Sequence, residues 1–245
     1  MRIGVYGLGR FGYLWASMLS GQHEVQAYNR SENRPTPPGV ERVSLEELAD
    51  CDGIFLCSAI SSIPETCRSL VPLVRPGQTI LDTCSVKVFP MQQMDETLPD
   101  TVETVGTHPM FGPDSVANGF SGLPIVISPG RCSERTVARW RKILEEMGLR
   151  VIPMSAEAHD REAAYTQGIT HFVGRLLDAL HVRPSGIGTL GYQKILEVVE
   201  QTCNDPYQLF VDLQRYNPYT SRMRQDLRAS FDQLLDDLDS NTPRE

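Results

Sequence analysis

Three polar segments carry residue types suited to acid–base chemistry on a hydroxyl group. They are Asp82-Thr83-Cys84-Ser85-Val86-Lys87, Gly106-Thr107-His108-Pro109-Met110-Phe111-Gly112-Pro113 and Gln167-Gly168-Ile169-Thr170-His171. Oxidation of an alcohol releases a proton, and an imidazole can accept one near neutral pH. His108, in a segment punctuated by glycine and proline and read as a loop of restricted freedom, is the candidate base. Ser85 offers a hydroxyl to that imidazole or to the substrate oxygen. Lys87 offers a cation to a carboxylate or phosphate.

Such an oxidation needs a hydride acceptor, and the chain opens with a site for one. Gly7-Leu8-Gly9-Arg10-Phe11-Gly12 follows the apolar run 2–6 and begins a helical stretch. In this GxGxxG spacing the first glycine makes the tight turn and the second lets backbone approach a pyrophosphate. The third lets the helix pack on the strand. The helix N-terminus presents N–H groups to the phosphates. A site for NAD places Asp or Glu at the end of the second strand, on the ribose 2′-OH. Here that strand ends in Tyr28-Asn29-Arg30-Ser31. A cation and a hydroxyl in place of a carboxylate suit a 2′-phosphate, so NADP is the expected cofactor. Ser58, just past the third strand, joins the expected cofactor-binding set.

These segments need a scaffold. Apolar runs at 2–6, 24–28, 53–57, 78–82, 102–106, 124–128 and 149–152 read as strands. Helical spacing covers 9–20, 44–50, 62–74 and 133–147. The alternation predicts an α/β domain, a doubly wound, mostly parallel sheet of the Rossmann kind over residues 1–154. Ligands bind at the carboxyl ends of such strands, which is where the first two polar segments fall. From residue 155 to 245 the pattern is helical alone, over 156–181, 189–203, 205–216 and 219–239. Asp205 before Pro206 reads as an N-cap with proline at the first helical position. The tail from 240 is expected to fray. So short a helical domain barely closes a core, which predicts a homodimer through it.

The chain has 245 residues, 40% of them hydrophobic, and a net charge of −8 with no basic tract, which argues against nucleic acid as a partner. No run is long and apolar enough to predict a membrane span, and no secretory signal is read at the start. Six scattered cysteines without a CxxC pair predict reduced thiols, a cytoplasmic location and no metal site.

DTCSVK, THPMFGPDS, QGITHFVGR, GYQKILEVVEQT and DLQRYNP, in this order, resemble segments of the prephenate/arogenate dehydrogenase family of tyrosine biosynthesis, in particular its plant-type arogenate dehydrogenase branch. The resemblance implies an oxidative decarboxylation of a cyclohexadienol. His108 would take the C4 hydroxyl proton, C4 would pass hydride to NADP, and loss of CO2 would aromatise the ring. Ser85 would orient His108 and the hydroxyl. His171 and Gln167 would line the substrate pocket from the helical domain, in a cleft between domains. An acidic residue near the start of a late helix accompanies arogenate preference in that branch, and Asp205 holds the matching position. Its charge suits the arogenate ammonium and penalises the keto group of prephenate, the alternative substrate, which would give 4-hydroxyphenylpyruvate. One departure stands out. Many bacterial members carry an arginine for the ring carboxylate where this chain has Glu200 or Gln201, leaving Lys87, Arg175 and Arg215 as candidates. The competing readings are another dehydrogenase of similar layout and a nucleotide-sensing module without catalysis.

Overall fold

A computed structural model describes residues 1–116 and 119–240. The expected frayed tail lies, from residue 241 onward, outside the described residues. The chain divides into two compact units, Met1–His159 and Asp160–Glu245. That division falls a few residues past the boundary read from sequence.

Among the described residues the first unit holds eight strands: β1 (Arg2–Tyr6), β2 (Glu24–Tyr28), β3 (Val40–Arg42), β4 (Gly53–Leu56), β5 (Thr79–Asp82), β6 (Glu103–Pro109), β7 (Pro124–Pro129) and β8 (Arg150–Pro153). Helices α1 (Arg10–Ser20), α2 (Leu45–Leu48), α3 (Ile63–Leu70), α4 (Val88–Thr97) and α5 (Glu134–Glu146) connect them. The spatial order is β3-β2-β1-β4-β5-β6-β7-β8. All neighbours run parallel except β6 and β7. The winding reverses beside β1, between β2 and β4, which is the switch point where α/β sheets bind ligands.

The sheet is buried on both faces, so β1, β4 and β5 read as near-continuous apolar runs. Trp15 of α1 and Trp140 of α5 both pack edge-on against Phe55 of β4, each with ring centroids 5.4 Å away. A side chain at Gly53 would overlap the Trp140 ring, so that glycine lets the helix settle on the strand. Gly106 does the same for β6, because a Cβ there would run into Met91 of α4.

Two elements were not read from sequence. β3 has only three residues, and α4 (VFPMQQMDET) lacks a clear apolar stripe. Conversely, the segment expected to be a loop around His108 is strand. Thr107, His108 and Pro109 pair with Ile127, Val126 and Ile125 of β7. That antiparallel pairing gives the backbone hydrogen-bond partners that a loop would seek from water.

The helical unit contains α7 (Ile169–Ala179), α8 (Leu190–Asn204), α9 (Tyr207–Tyr216) and α10 (Thr220–Asp239). Helix α6 (Ala156–Ala163) runs across the division and joins α7 through a π-helical turn, Ala164–Gly168. Gly174 of α7 lies so close to α8 that a Cβ would collide with Thr202. Asn217 Nδ2 donates to Asp160 O (2.7 Å), tying the α9–α10 corner to α6, and Gln214 Nε2 donates to Gly168 O (2.9 Å), tying α9 to the π-helical turn. Asp205 is not the N-cap of α9. The helix starts at Tyr207, and its cap is Pro206, with extended backbone (ψ 138°) and no side-chain cap hydrogen bond.

Candidate active site

The carboxyl ends of β1, β2, β4, β5 and β6 share one edge of the sheet. Tyr6, Leu56, Asp82 and Gly106 stand in register there, and His108 lies two residues further along β6. At this edge Gly7 turns the chain with φ +104°, and a Cβ would sit 2.8 Å from Cys57 O. Gly12 is packed against the turn so tightly that a Cβ would overlap Gly7 O. Gly9 is the opposite case. A Cβ there meets nothing within 4 Å among the described residues, which leaves the space above it open. Two glycines thus serve packing and the middle one leaves room for a ligand, the division of labour a pyrophosphate requires. Gly9 is also the N-cap of α1 and makes no side-chain cap hydrogen bond, so the first-turn N–H groups face outward. The residues present therefore fit a dinucleotide.

The flanking residues divide into braces and candidate contacts. Asn29 Oδ1 accepts from Leu8 N–H (2.8 Å), and its Nδ2 donates to Ser31 O (2.9 Å), so this amide braces the turn. Leu8 and Phe11 send side chains inward, Phe11 stacking on Trp15 with centroids 5.8 Å apart. Arg10 is ion-paired with Asp114 at 2.8 Å. Arg30 is 80% exposed, holding Glu65 only at 3.4 Å, and is able to swing to a phosphate. Ser31 Oγ donates to Asn33 Oδ1 (2.6 Å), and Ser58 Oγ lies 3.3 Å from Thr66 Oγ1. Arg42 on β3, not singled out from sequence, donates to both Asn29 O (2.9 Å) and Ser31 O (3.0 Å) and so shapes the same loop. Recognising the short strand would have exposed it, since Arg42 pairs with Ala27 next to the end of β2.

His108 is buried, and its Nδ1 lies 2.8 Å from Nε2 of His159, a residue that sequence reasoning did not select. Burial first, then the unfavourable coulombic interaction that a protonated His108 would have with His159 and Lys87, hold the His108 imidazole well below its ordinary range, in the neutral form a base needs. No hydrogen bond joins Ser85 to His108 among the described residues. Ser85 is half-buried in the turn after β5.

Lys87 requires a correction. Expected to hold a substrate anion, it is 0% exposed, ion-paired with the equally buried Asp82, and donates to Thr107 O (2.6 Å). An ammonium enclosed in this way cannot reach a substrate. It ties the end of β5 to the residue preceding His108. Burial raises the Asp82 carboxyl above its usual range, and Lys87 opposes that rise.

In the helical unit, Gln167, His171 and Arg175 recur every four residues and so share a face. Each has a buried polar atom without a hydrogen-bond partner among the described residues: Gln167 Oε1, His171 Nδ1 and Arg175 Nε. Asp205 Oδ2 lies 4.0 Å from His171 Nε2. That distance is too long for a carboxylate to hold an imidazolium against desolvation. Burial, aided by Arg175, brings His171 down to about 4. Arg175 Nη2 donates to Thr202 O (3.0 Å) and Asp205 O (2.7 Å), and its guanidinium lies over the Tyr207 ring. Arg215 is exposed.

A doubly wound sheet with this glycine turn, continued by a helical unit, defines the dinucleotide-binding dehydrogenase class. A family model described as the nucleotide-binding domain of prephenate dehydrogenase matches residues 31–153, and one described as a TYRAAT1-like C-terminal domain matches residues 176–245. The chain belongs to the prephenate/arogenate dehydrogenase family. It is 34% identical to chloroplastic arogenate dehydrogenase 1 of Arabidopsis thaliana and 31% identical to arogenate dehydrogenase 2, each over 97% of this chain. It spans 39% of the first relative's length and 70% of the second's. Among solved structures, Synechocystis arogenate dehydrogenase matches with a TM-score of 0.72 at 23% identity, covering 98% of this chain and 93% of that one. Prephenate dehydrogenase from A. aeolicus, in complex with hydroxyphenyl propionate and NAD+, gives 0.79 at 19%, covering 98% and 91%. These two likenesses establish the shared fold.

Proposed function

We propose that the chain catalyses NADP-dependent oxidative decarboxylation of arogenate to tyrosine, with His108 as general base. The observation that carries this reading is the neutral, buried imidazole at the same sheet edge as the open glycine turn. A nicotinamide bound at that edge supplies the acceptor for hydride from ring C4 as the C1 carboxylate departs as CO2 and the ring becomes aromatic. His108 Nε2 takes the C4 hydroxyl proton and returns it to the phenolate oxygen, so the base ends each cycle neutral. Ser85, in the turn after β5, is assigned to the substrate hydroxyl. NADP rather than NAD is favoured by Arg30 and Ser31 at the end of β2, where no carboxylate stands.

In the helical unit, Gln167 and His171 are assigned to the substrate. Arg175 is favoured over Arg215 for the ring carboxylate, because its Nε is buried and has no hydrogen-bond partner among the described residues. Asp205, beside His171, suits the arogenate ammonium by charge and does not suit the keto group of prephenate. Leu180, Ile187 and Leu190 are exposed to 67%, 94% and 69%, which supports a homodimer through this unit. Six free cysteines accord with a reducing compartment such as the cytoplasm.

The test is turnover of arogenate and of prephenate with NADP+ and with NAD+, followed by absorbance of the reduced nicotinamide. Arogenate with NADP+ is expected to give the highest kcat/KM. Higher kcat/KM with prephenate would overturn the substrate assignment, and no reduction with either would overturn the enzyme assignment.

A further inference from the structure

His159 opens no motif, yet its ring meets the proposed base. Ser155 precedes α6, accepts Ala158 N–H on its hydroxyl (3.2 Å) and His159 N–H on its carbonyl (2.9 Å), and so fixes the first turn that carries His159. The two imidazoles stand edge to face, with centroids 5.0 Å apart and planes at 70°. His108 is 2% exposed and His159 3%, so bulk water does not substitute for either contact nitrogen.

We propose that His159 is a positioning residue that sets the tautomer of His108 through the Nδ1···Nε2 hydrogen bond. This rests on the reading of His108 as the base. A neutral imidazole has one N–H donor and one acceptor nitrogen. Two ring nitrogens at 2.8 Å share one proton, so one ring donates and the other accepts. For His108 to take a proton on Nε2, that nitrogen must carry the lone pair. Its own proton then sits on Nδ1 and is donated to His159 Nε2, which places the His159 proton on Nδ1. The tautomers are coupled. Reversing His108 alone would set two lone pairs against each other in a buried site. Once His108 has taken the substrate proton, its Nδ1–H still has its acceptor, so the partner serves both protonation states. The charged and titratable groups facing His108 are His159 from α6 and Lys87 from the turn after β5, the latter paired with Asp82.

The test compares His159→Leu, which removes the acceptor, with His159→Gln, which keeps an acceptor oxygen. Long-range nitrogen–proton correlation spectra of ¹⁵N-histidine-labelled protein report which ring nitrogen is protonated. The wild type is expected to show His108 protonated on Nδ1 and bare on Nε2. His159→Leu is expected to lose that pattern and roughly ten- to hundredfold in kcat, with NADP+ affinity unchanged. His159→Gln is expected to recover most of both. A wild-type spectrum with the His108 proton on Nε2 would overturn the proposal. So would a His159→Leu variant with wild-type kcat and an unaltered tautomer. If His159→Leu does not fold, the wild-type spectrum and His159→Gln decide. Failure of the underlying reading looks different: His108→Asn would retain turnover whatever the tautomer of the wild type.

Discussion

Replacing Lys87 with methionine keeps most of the aliphatic stem and deletes the charge. The deletion strands two groups in a dry interior, the Asp82 carboxylate and the Thr107 carbonyl, since both lose the same ammonium. Breaking a buried ion pair from one side costs about 3–5 kcal/mol, and an orphaned carbonyl about 1–3 kcal/mol before local relaxation. Partial relaxation and protonation of Asp82 offset some of this, so the expected loss is about 4 kcal/mol. For a chain of this size that lowers Tm by roughly 8–16 °C. The loss depends on pH. Asp82 already has a raised carboxyl pKa, and removing Lys87 raises it further. The folded variant then keeps a proton that the unfolded chain releases above about pH 4. Its stability therefore falls as pH climbs from there through the folded-state value, and the deficit is larger at about pH 8 than at about pH 5. Urea unfolding followed by circular dichroism at the two pH values measures it. Pairing Lys87→Met with Asp82→Leu should recover much of the loss, because an apolar pair of similar volume is often as stable as the ions. A single variant within about 1 kcal/mol of wild type at the higher pH would refute the reasoning, since no buried pair would then have been broken.

Gly9→Ala should fold with wild-type stability and bind NADP+ roughly tenfold or more weakly, whereas Gly12→Ala should lose stability as well, because its methyl meets the Gly7 carbonyl. Thermal melts and fluorescence titration separate the two glycines. Arg30→Ala should reduce the NADP+ over NAD+ preference in kcat/KM roughly 10–100-fold, the value of a lost charge-assisted contact. His171 is held at about 4 in the fold against about 6.5 unfolded. Its stabilisation is complete above the unfolded value and disappears as pH falls towards 4, about 3 kcal/mol in all. The difference between the stability–pH curves of wild type and His171→Asn should show that slope.

The glycine turn was legible because everything it needs lies within one strand–turn–helix. Spacing alone assigned Gly7, Gly9 and Gly12; in the fold Gly7 and Gly12 are closely packed and Gly9 faces open space. The doubly wound sheet was legible for a related reason, since strands buried on both faces leave continuous apolar runs. Lys87 was misjudged although its partner Asp82 lies in the same hexapeptide. Whether a lysine turns inward is decided by how β5, β6 and α4 pack, which spacing does not encode. His159 carried no local signal at all, because its partner is 51 residues away and the contact exists only once β6 is built into the sheet. The segment around His108 was read as loop from its Gly and Pro, and pairing with β7 overrode that punctuation. Asp205-Pro206 has the composition of a helix start, but the cap position falls on Pro206, with extended backbone, and the Asp205 carboxylate lies 4.0 Å from His171.

The most direct measurement is kcat of His108→Asn alongside its affinity for NADP+. An imidazole acting as general base predicts a fall of about 10²–10⁴ in kcat with the dinucleotide bound as tightly as in the wild type. A fall of less than about tenfold would contradict the account.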